Sequence, residues 1–207
     1  MTFQHSLHIV EPGTPGAKRI IFARHGQYVC NVHHTVNCDP SIPHFLTPLG
    51  VEQADALGQR LKNEGVELII SSQFPRARHT AERVNRVLKV PMTVNALANE
   101  NRVGRALEGR SATEYFATIA HDPVDAFNED GGESFRAMGH RIIALADDIA
   151  NGTTQTTLVT THGWALQIIR VLLGETSLED APLNNDMPTN CETRELWVMP
   201  SRPQPPL

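Results

Sequence analysis

The chain has 207 residues, 40% of them hydrophobic, and a formal net charge of -5 at pH 7. That length suits one domain able to bury roughly 70% of the surface of its unfolded chain. The acidic balance excludes a general nucleic-acid binder, which needs a basic face. No run of about 18 apolar residues occurs, and residues 1–18 carry no apolar signal-peptide core, so neither a membrane partner nor secretion is expected. Three cysteines, Cys30, Cys38 and Cys191, are an odd number without metal-ligand spacing. Such sparse usage suits reduced thiols in a cytoplasmic compartment, although Cys30 and Cys38 remain free to pair.

Proline and glycine make residues 1–16 read as an irregular leader, with the core spanning about 17–200 and 201–207 a loose tail. Ile20–Ala23 is the first central strand. Thr47 followed by Pro48 predicts a capped helix start, continued by Val51, Ala54, Leu57 and Leu61 at helical spacing and ending near Gly65. Val66–Ile70 reads as a second strand, Pro75–Leu88 as a helix and Met92–Val94 as a short third strand. Residues 95–132 read as a lid or insertion with a short helix at Thr113–Ala120. Glu133–Ile149 is an amphipathic helix, Thr157–Thr161 a buried strand, Ala165–Leu173 a helix and Glu195–Met199 a last strand. Strand and helix alternate throughout, which predicts an α/β fold, a three-layer sandwich whose mostly parallel sheet is flanked by helices.

Two of the strands end in histidine and glycine, as Ala23-Arg24-His25-Gly26 and Thr160-Thr161-His162-Gly163. In an open parallel sheet, ligands sit beyond the carboxyl ends of the strands, where helix N-termini favour anions. Glycine after a catalytic side chain allows a sharp turn and a close ligand approach. An arginine fork grips phosphoryl oxygens, and an imidazole is a competent nucleophile near neutral pH. Arg76 opens a helix after the second strand, where the dipole already favours anions. Expelling an alkoxide needs a general acid. Glu100, in the loop after the third strand, is the candidate, with Glu108 and Glu133 as competitors.

Together these residues resemble the histidine phosphatase superfamily, the phosphoglycerate-mutase-like branch. The resemblance runs from Arg19 to Met199. It includes Arg24-His25-Gly26 with Asn31, the Leu46-Thr47-Pro48-Leu49-Gly50 helix start, Ser71-Ser72 through Arg76-Ala77 to Thr80-Ala81, Gly132-Glu133-Ser134-Phe135, and Thr161-His162-Gly163. It implies a phosphoglycerate-mutase-like fold in which His25 becomes a phosphohistidine. Arg24, Arg76 and His162, with Asn31 and Gly163 beside them, would hold the phosphoryl group, and Glu100 would be the proton donor. No metal or other cofactor is then required. The chain departs from the usual family pattern at Gln27, where glutamate is commonest, and at Tyr28, so substrate contacts there are expected to differ.

Mutases of this branch carry extra basic residues that grip a second acidic group. Between Glu100 and Glu133 this chain has only Arg102, Arg105 and Arg110, which favours a phosphatase acting on a small phosphorylated metabolite. The alternatives are a mutase, a degenerate member that binds a phosphorylated ligand, and a member recruited to other small-molecule chemistry. Gln27, Tyr28, Arg102 and Trp164 are candidates for the substrate pocket, with His33 and Phe116 on the leaving-group side. Adjacent His33 and His34, with His44 and His79, lack metal-ligand spacing and read as loop or surface histidines. The sequence leaves the oligomeric state open, a homodimer included.

Overall fold

In the computed structural model, which describes residues 5–183 and 186–201, strand β2 (Lys18–Arg24) sends its side chains alternately into two apolar layers. Ile20 and Phe22 enter one layer and Ile21 and Ala23 the other. Burial on both faces explains why this strand reads as one continuous apolar run. Strands β1 (His8–Ile9), β3 (Leu68–Ser71), β4 (Met92–Val94), β5 (Thr156–Thr161) and β6 (Thr193–Met199) complete a six-stranded sheet in the order β1-β6-β2-β5-β3-β4. The run β2, β5, β3, β4 is parallel, and β6 lies antiparallel to both β2 and β1. The register places Arg24 opposite Thr161. His25 and His162 therefore leave the sheet side by side at its carboxyl edge.

Helices α2 (Pro48–Leu61) and α3 (Pro75–Leu88) cover one face, with Ala54, Leu57, Ala81 and Val84 packed on Ile21, Ile69 and Leu158. Helices α5 (Phe135–Ala150) and α6 (Gly163–Leu172) cover the other, where Met138, Ile142, Leu145, Leu166 and Ile169 meet Ile20, Phe22, Val159 and Leu196. The result is the expected α/β three-layer sandwich. Thr47 caps α2 by accepting the Gly50 N–H at 3.1 Å, and Ser134 caps α5 through the Ala137 N–H. A Cβ on Gly50 would lie 2.0 Å from the Gln27 carbonyl oxygen, and one on Gly26 would lie 2.4 Å from the Gly50 carbonyl oxygen. Two bare glycines thus let the start of α2 close against the loop after β2.

Several boundaries differ from the expectation. The leader is not wholly irregular, because His8 and Ile9 pair with Met199 and Val198 as an antiparallel edge, anchored by buried Leu7. Residues 202–207 of the expected tail lie outside the described residues. Helix α2 stops at Leu61, before Gly65, and a five-residue helix α1 (Val29–His33) follows β2 unannounced by any periodicity. Segment 95–132 carries helix α4 (Ala112–Ile119), and its Tyr115, Ile119 and Val124 are buried in the main core. It is thus a packed part of the sandwich at those positions. All three cysteines are free thiols, so Cys30 and Cys38 are not paired. Among the described residues, no helix is long and apolar enough to cross a membrane.

Candidate active site

His25 is positioned from three sides. Its N–H donates to the Thr161 carbonyl at 2.9 Å, and its carbonyl accepts Asn190 Nδ2 at 3.0 Å. Its ring Nδ1 lies 2.8 Å from the Gly26 carbonyl oxygen. A carbonyl only accepts, so this contact places the ring proton on Nδ1 and the lone pair on Nε2. Arg76 Nε donates to that Nε2 at 3.2 Å. Burial, reinforced by the Arg76 and Arg24 guanidiniums, holds the imidazole pKa well below its usual value. The ring is neutral at pH 7, the state a nitrogen nucleophile requires.

Arg76 stands in the first turn of α3 with 1% of its surface exposed. Its guanidinium lies 4.4 Å from the Tyr28 ring and 4.3 Å from the Phe74 ring, a cation–π clamp. Its Nη1 donates to Asn37 Oδ1 at 2.6 Å. Arg24 donates through Nη1 to the Pro188 carbonyl. His162, the N-cap residue of α6, has its ring centroid 5.1 Å from that of His25 and its Nε2 2.8 Å from Ser72 Oγ. Burial first, then Arg76 and His25, depress its pKa as well. Arg24 Nε and His162 Nδ1 are both buried with no partner among the described residues. An unpaired buried polar atom costs about 1–3 kcal/mol, and two of them beside a buried arginine at a helix N-terminus describe a cradle for an anion. Gly163 belongs to this cradle, since a Cβ there would lie 3.5 Å from Arg24 Nε.

Three glutamates compete for the acid role, and their surroundings separate them. Glu108 accepts from Asn37 Nδ2, the Cys38 N–H and the Asp39 N–H. Glu133 is paired with Arg141 at 2.6 Å and accepts the Arg102 N–H at 3.2 Å. Both carboxylates serve as loop anchors. Glu100 lines the same cavity as His25, Arg24 and Arg76, and its Oε1 accepts the Asn101 N–H at 3.0 Å. Burial raises its pKa, outweighing that hydrogen bond and the nearby guanidiniums of Arg76, Arg24 and Arg141. A carboxyl that holds its proton longer than usual suits a general acid.

The cavity measures about 390 Å³ and is also lined by Tyr28, Asn31 and Trp164. His162 and Gly163 stand behind it, against His25 and Arg24. Gln27 does not line it. Its N–H donates to Gln53 Oε1 and its side-chain Oε1 accepts from the Thr47 hydroxyl, so it fastens the start of α2 rather than the pocket. Arg102 also lies elsewhere, beside a second hollow, with Glu133 Oε2 3.6 Å away. His33 is exposed, and its neighbour His34, turned by a left-handed φ of 54°, lines the cavity instead. Sequence reasoning missed Asn37, Ser72, Asn190, Met187 and Arg141. Ser72 lies inside a motif already singled out, and Arg141 is a charge on the apolar stripe of α5 beside Met138, Ile142 and Leu145. Asn37, Met187 and Asn190 come from loops with no readable signal. No group of three or more His, Cys, Asp or Glu is placed to hold a metal ion among the described residues.

The chain is 28% identical over 166 residues to a protein named probable phosphoglycerate mutase GpmB from Yersinia pestis, a match that covers 75% of each chain. Solved structures share the fold. A putative alpha-ribazole-5'-P phosphatase from Escherichia coli superposes with a TM-score of 0.72 at 25% identity, over 92% of this chain and 100% of the other. A mycobacterial glucosyl-3-phosphoglycerate phosphatase gives 0.71 at 22% identity, over 87% and 90%. With residues 20–204 matching the family described as histidine phosphatase superfamily, branch 1, the chain belongs to that family.

Proposed function

We propose that the chain is a metal-independent phosphomonoesterase that acts on a small phosphorylated metabolite through a phosphohistidine on His25. The observation that carries this reading is the neutral His25 imidazole, its Nε2 lone pair facing the Arg76 guanidinium, its Nδ1 tied to the Gly26 carbonyl and the Arg24 charge close by. Phosphoryl oxygens compete for the Arg76 guanidinium and release the Nε2 lone pair. Nε2 attacks phosphorus, the P–N bond forms, and the P–O bond to the leaving alcohol breaks. Glu100 gives that alcohol its proton. The resulting carboxylate then takes a proton from water, whose oxygen attacks phosphorus, breaks the P–N bond and releases phosphate. Arg24, Arg76, His162 and the first amides of α6 meet the charge on the phosphoryl oxygens, and Asn31 assists. Electrostatics preorganised in this way supply the larger part of such catalysis.

The test is phosphate release from a panel of monophosphates with a chelator present, together with acid-labile, base-stable labelling of the protein. Release that survives chelator and disappears in His25→Ala, with loss of the label, is the expected result. The name of the Yersinia relative favours mutase activity as a second reading. Against it, Arg102 is held by Glu133 and Arg110 lies 3.8 Å from Glu114, which leaves a second acidic group on the substrate poorly matched. Efficient isomerisation of phosphoglycerates with little release would overturn the hydrolase reading. Binding without turnover would establish a degenerate binder, and a rearranged product a recruited enzyme.

A further inference from the structure

The cavity has two unlike halves. One holds the cations and His25. The other is an apolar wall built by Tyr115 and Phe116 on α4, Trp164 on α6, and Val36, Val103 and Met187. Trp164 follows His162 by two residues, so the wall begins beside the phosphoryl cradle. Its ring is backed edge-on by Phe135 at 5.3 Å and by Tyr115 at 6.1 Å. Phe116 lies 5.9 Å from it at 38°, still 37% exposed while Tyr115 is buried. Rings on two helices, with Trp164 packed from behind, make a preformed surface with one uncovered face. Among the described residues, Arg24 and Arg76 are the only arginines lining the cavity, and no lysine does.

We infer that the leaving group is an alcohol with an apolar ring, seated against Trp164, Phe116 and Tyr115. This rests on the hydrolytic reading above and adds the class of substrate. A volume of about 390 Å³ lies near the lower end of the roughly 300–1,000 Å³ range of ligand sites, which suits a phosphoryl group with one or two rings. A second anionic group finds, among the described residues, no arginine or lysine beyond those that hold phosphate, and only the exposed His34 imidazole besides. Selection between ring and anion therefore resides in α4, whose Phe116 is the half-open element of the wall.

The experiment compares kcat/KM for benzyl phosphate and glycerol 3-phosphate, two alkyl esters whose leaving alcohols both need a proton, so that reactivity does not set the ratio. The ring ester is expected to be favoured by about tenfold or more, the effect of covering one ring face. Phe116→Ala lowers that ratio several-fold, and Phe116→Leu restores part of it. Equal rates, a preference for the glycerol ester, or a ratio unchanged in Phe116→Ala would overturn the inference while leaving the hydrolase reading intact. No phosphate from either ester would overturn both.

Discussion

Replacing Arg141 with methionine strikes the acid loop without touching the cavity. This guanidinium donates to the carbonyls of Leu97 at 2.7 Å, Asn99 at 2.9 Å and Glu100 at 3.2 Å, and pairs with Glu133 at 2.6 Å. Glu133 has a side chain only 4% exposed and Arg141 one only 15% exposed. Removing one partner of a buried pair costs about 3–5 kcal/mol. Arg102 Nη2, 3.6 Å from Glu133, keeps part of the compensation, so about 3 kcal/mol is expected by urea denaturation. Activity should divide by leaving group, because Glu100 rides on the loop that Arg141 holds. Loss of a positioned general acid costs about 10²-fold or more, so kcat for an alkyl phosphate falls by about that factor. The rate on 4-nitrophenyl phosphate, whose leaving group needs no proton, changes by less than about threefold. Adding Glu133→Leu should return part of the stability and none of the alkyl-ester rate. A stability loss under about 1 kcal/mol, or equal losses on both esters, would refute the bracing role.

Glu100→Gln should abolish the alkaline limb of the pH–rate profile for alkyl esters, because the raised carboxyl pKa sets where the acid loses its proton. The acid limb, set by the depressed pKa of His25, should stay below about 6.5; a shift of both limbs would show that Glu100 is not the donor. Stability should also fall on acidification. His25 and His162 have folded pKa values below the unfolded value, so from about pH 6.5 downward the unfolded chain takes up two protons that the native chain refuses, a slope of about 2.7 kcal/mol per pH unit. Glu100 acts with the opposite sign, since the folded chain holds its proton above about pH 4.5 and the unfolded chain does not. Where the two windows overlap, the net slope is about 1.4 kcal/mol per unit. Thermal denaturation of wild type and His162→Asn checks this, and identical pH dependence would contradict it. Gly163→Ala should fold normally, because its new methyl meets the flexible end of Met187 at 2.8 Å, but it stands in van der Waals contact with Arg24 Nε at 3.5 Å and so covers the atom an anion would approach. Calorimetry should find phosphate bound about tenfold more weakly than by wild type, and unchanged affinity would remove Arg24 Nε from the cradle.

Much of the sheet could be read in advance because its central strands are buried on both faces, which leaves runs of apolar or β-branched residues such as Ile20–Ala23 and Leu158–Thr161. A helix start was legible where capping chemistry is local, at Thr47-Pro48, whereas the Ser134 cap of α5 went unread. Strand β1 and helix α1 were not, since two or five residues carry no period and their conformations come from partners far along the chain. The same division holds at the cavity. Arg24, His25, Arg76, Glu100 and Trp164 sit at strand or helix ends or in the loop just after one, where topology fixes location, and all line one cavity. Gln27 was misplaced because a side chain next to a catalytic motif can turn to cap a helix. Arg102 was misplaced because a loop arginine follows its carboxylate partner, and Glu133 lies outside the main cavity. Asn37 and Asn190 reach Arg76 and His25 only through loop conformations that tertiary contacts determine.

The pairing of Arg24 with Thr161 in the β2–β5 ladder bears on how the molecule is made as well as on what it does. The central strand emerges early, yet both its neighbours, β5 and β6, belong to the last part of the chain. Closing such long loops delays non-local pairing and slows folding. The proposed phosphate cradle draws one histidine from each side of that closure, so it comes into being only when the sheet has annealed. Recovery of anion binding during refolding would therefore time the final docking of the carboxyl-terminal strands, and every intermediate that precedes it would be catalytically silent.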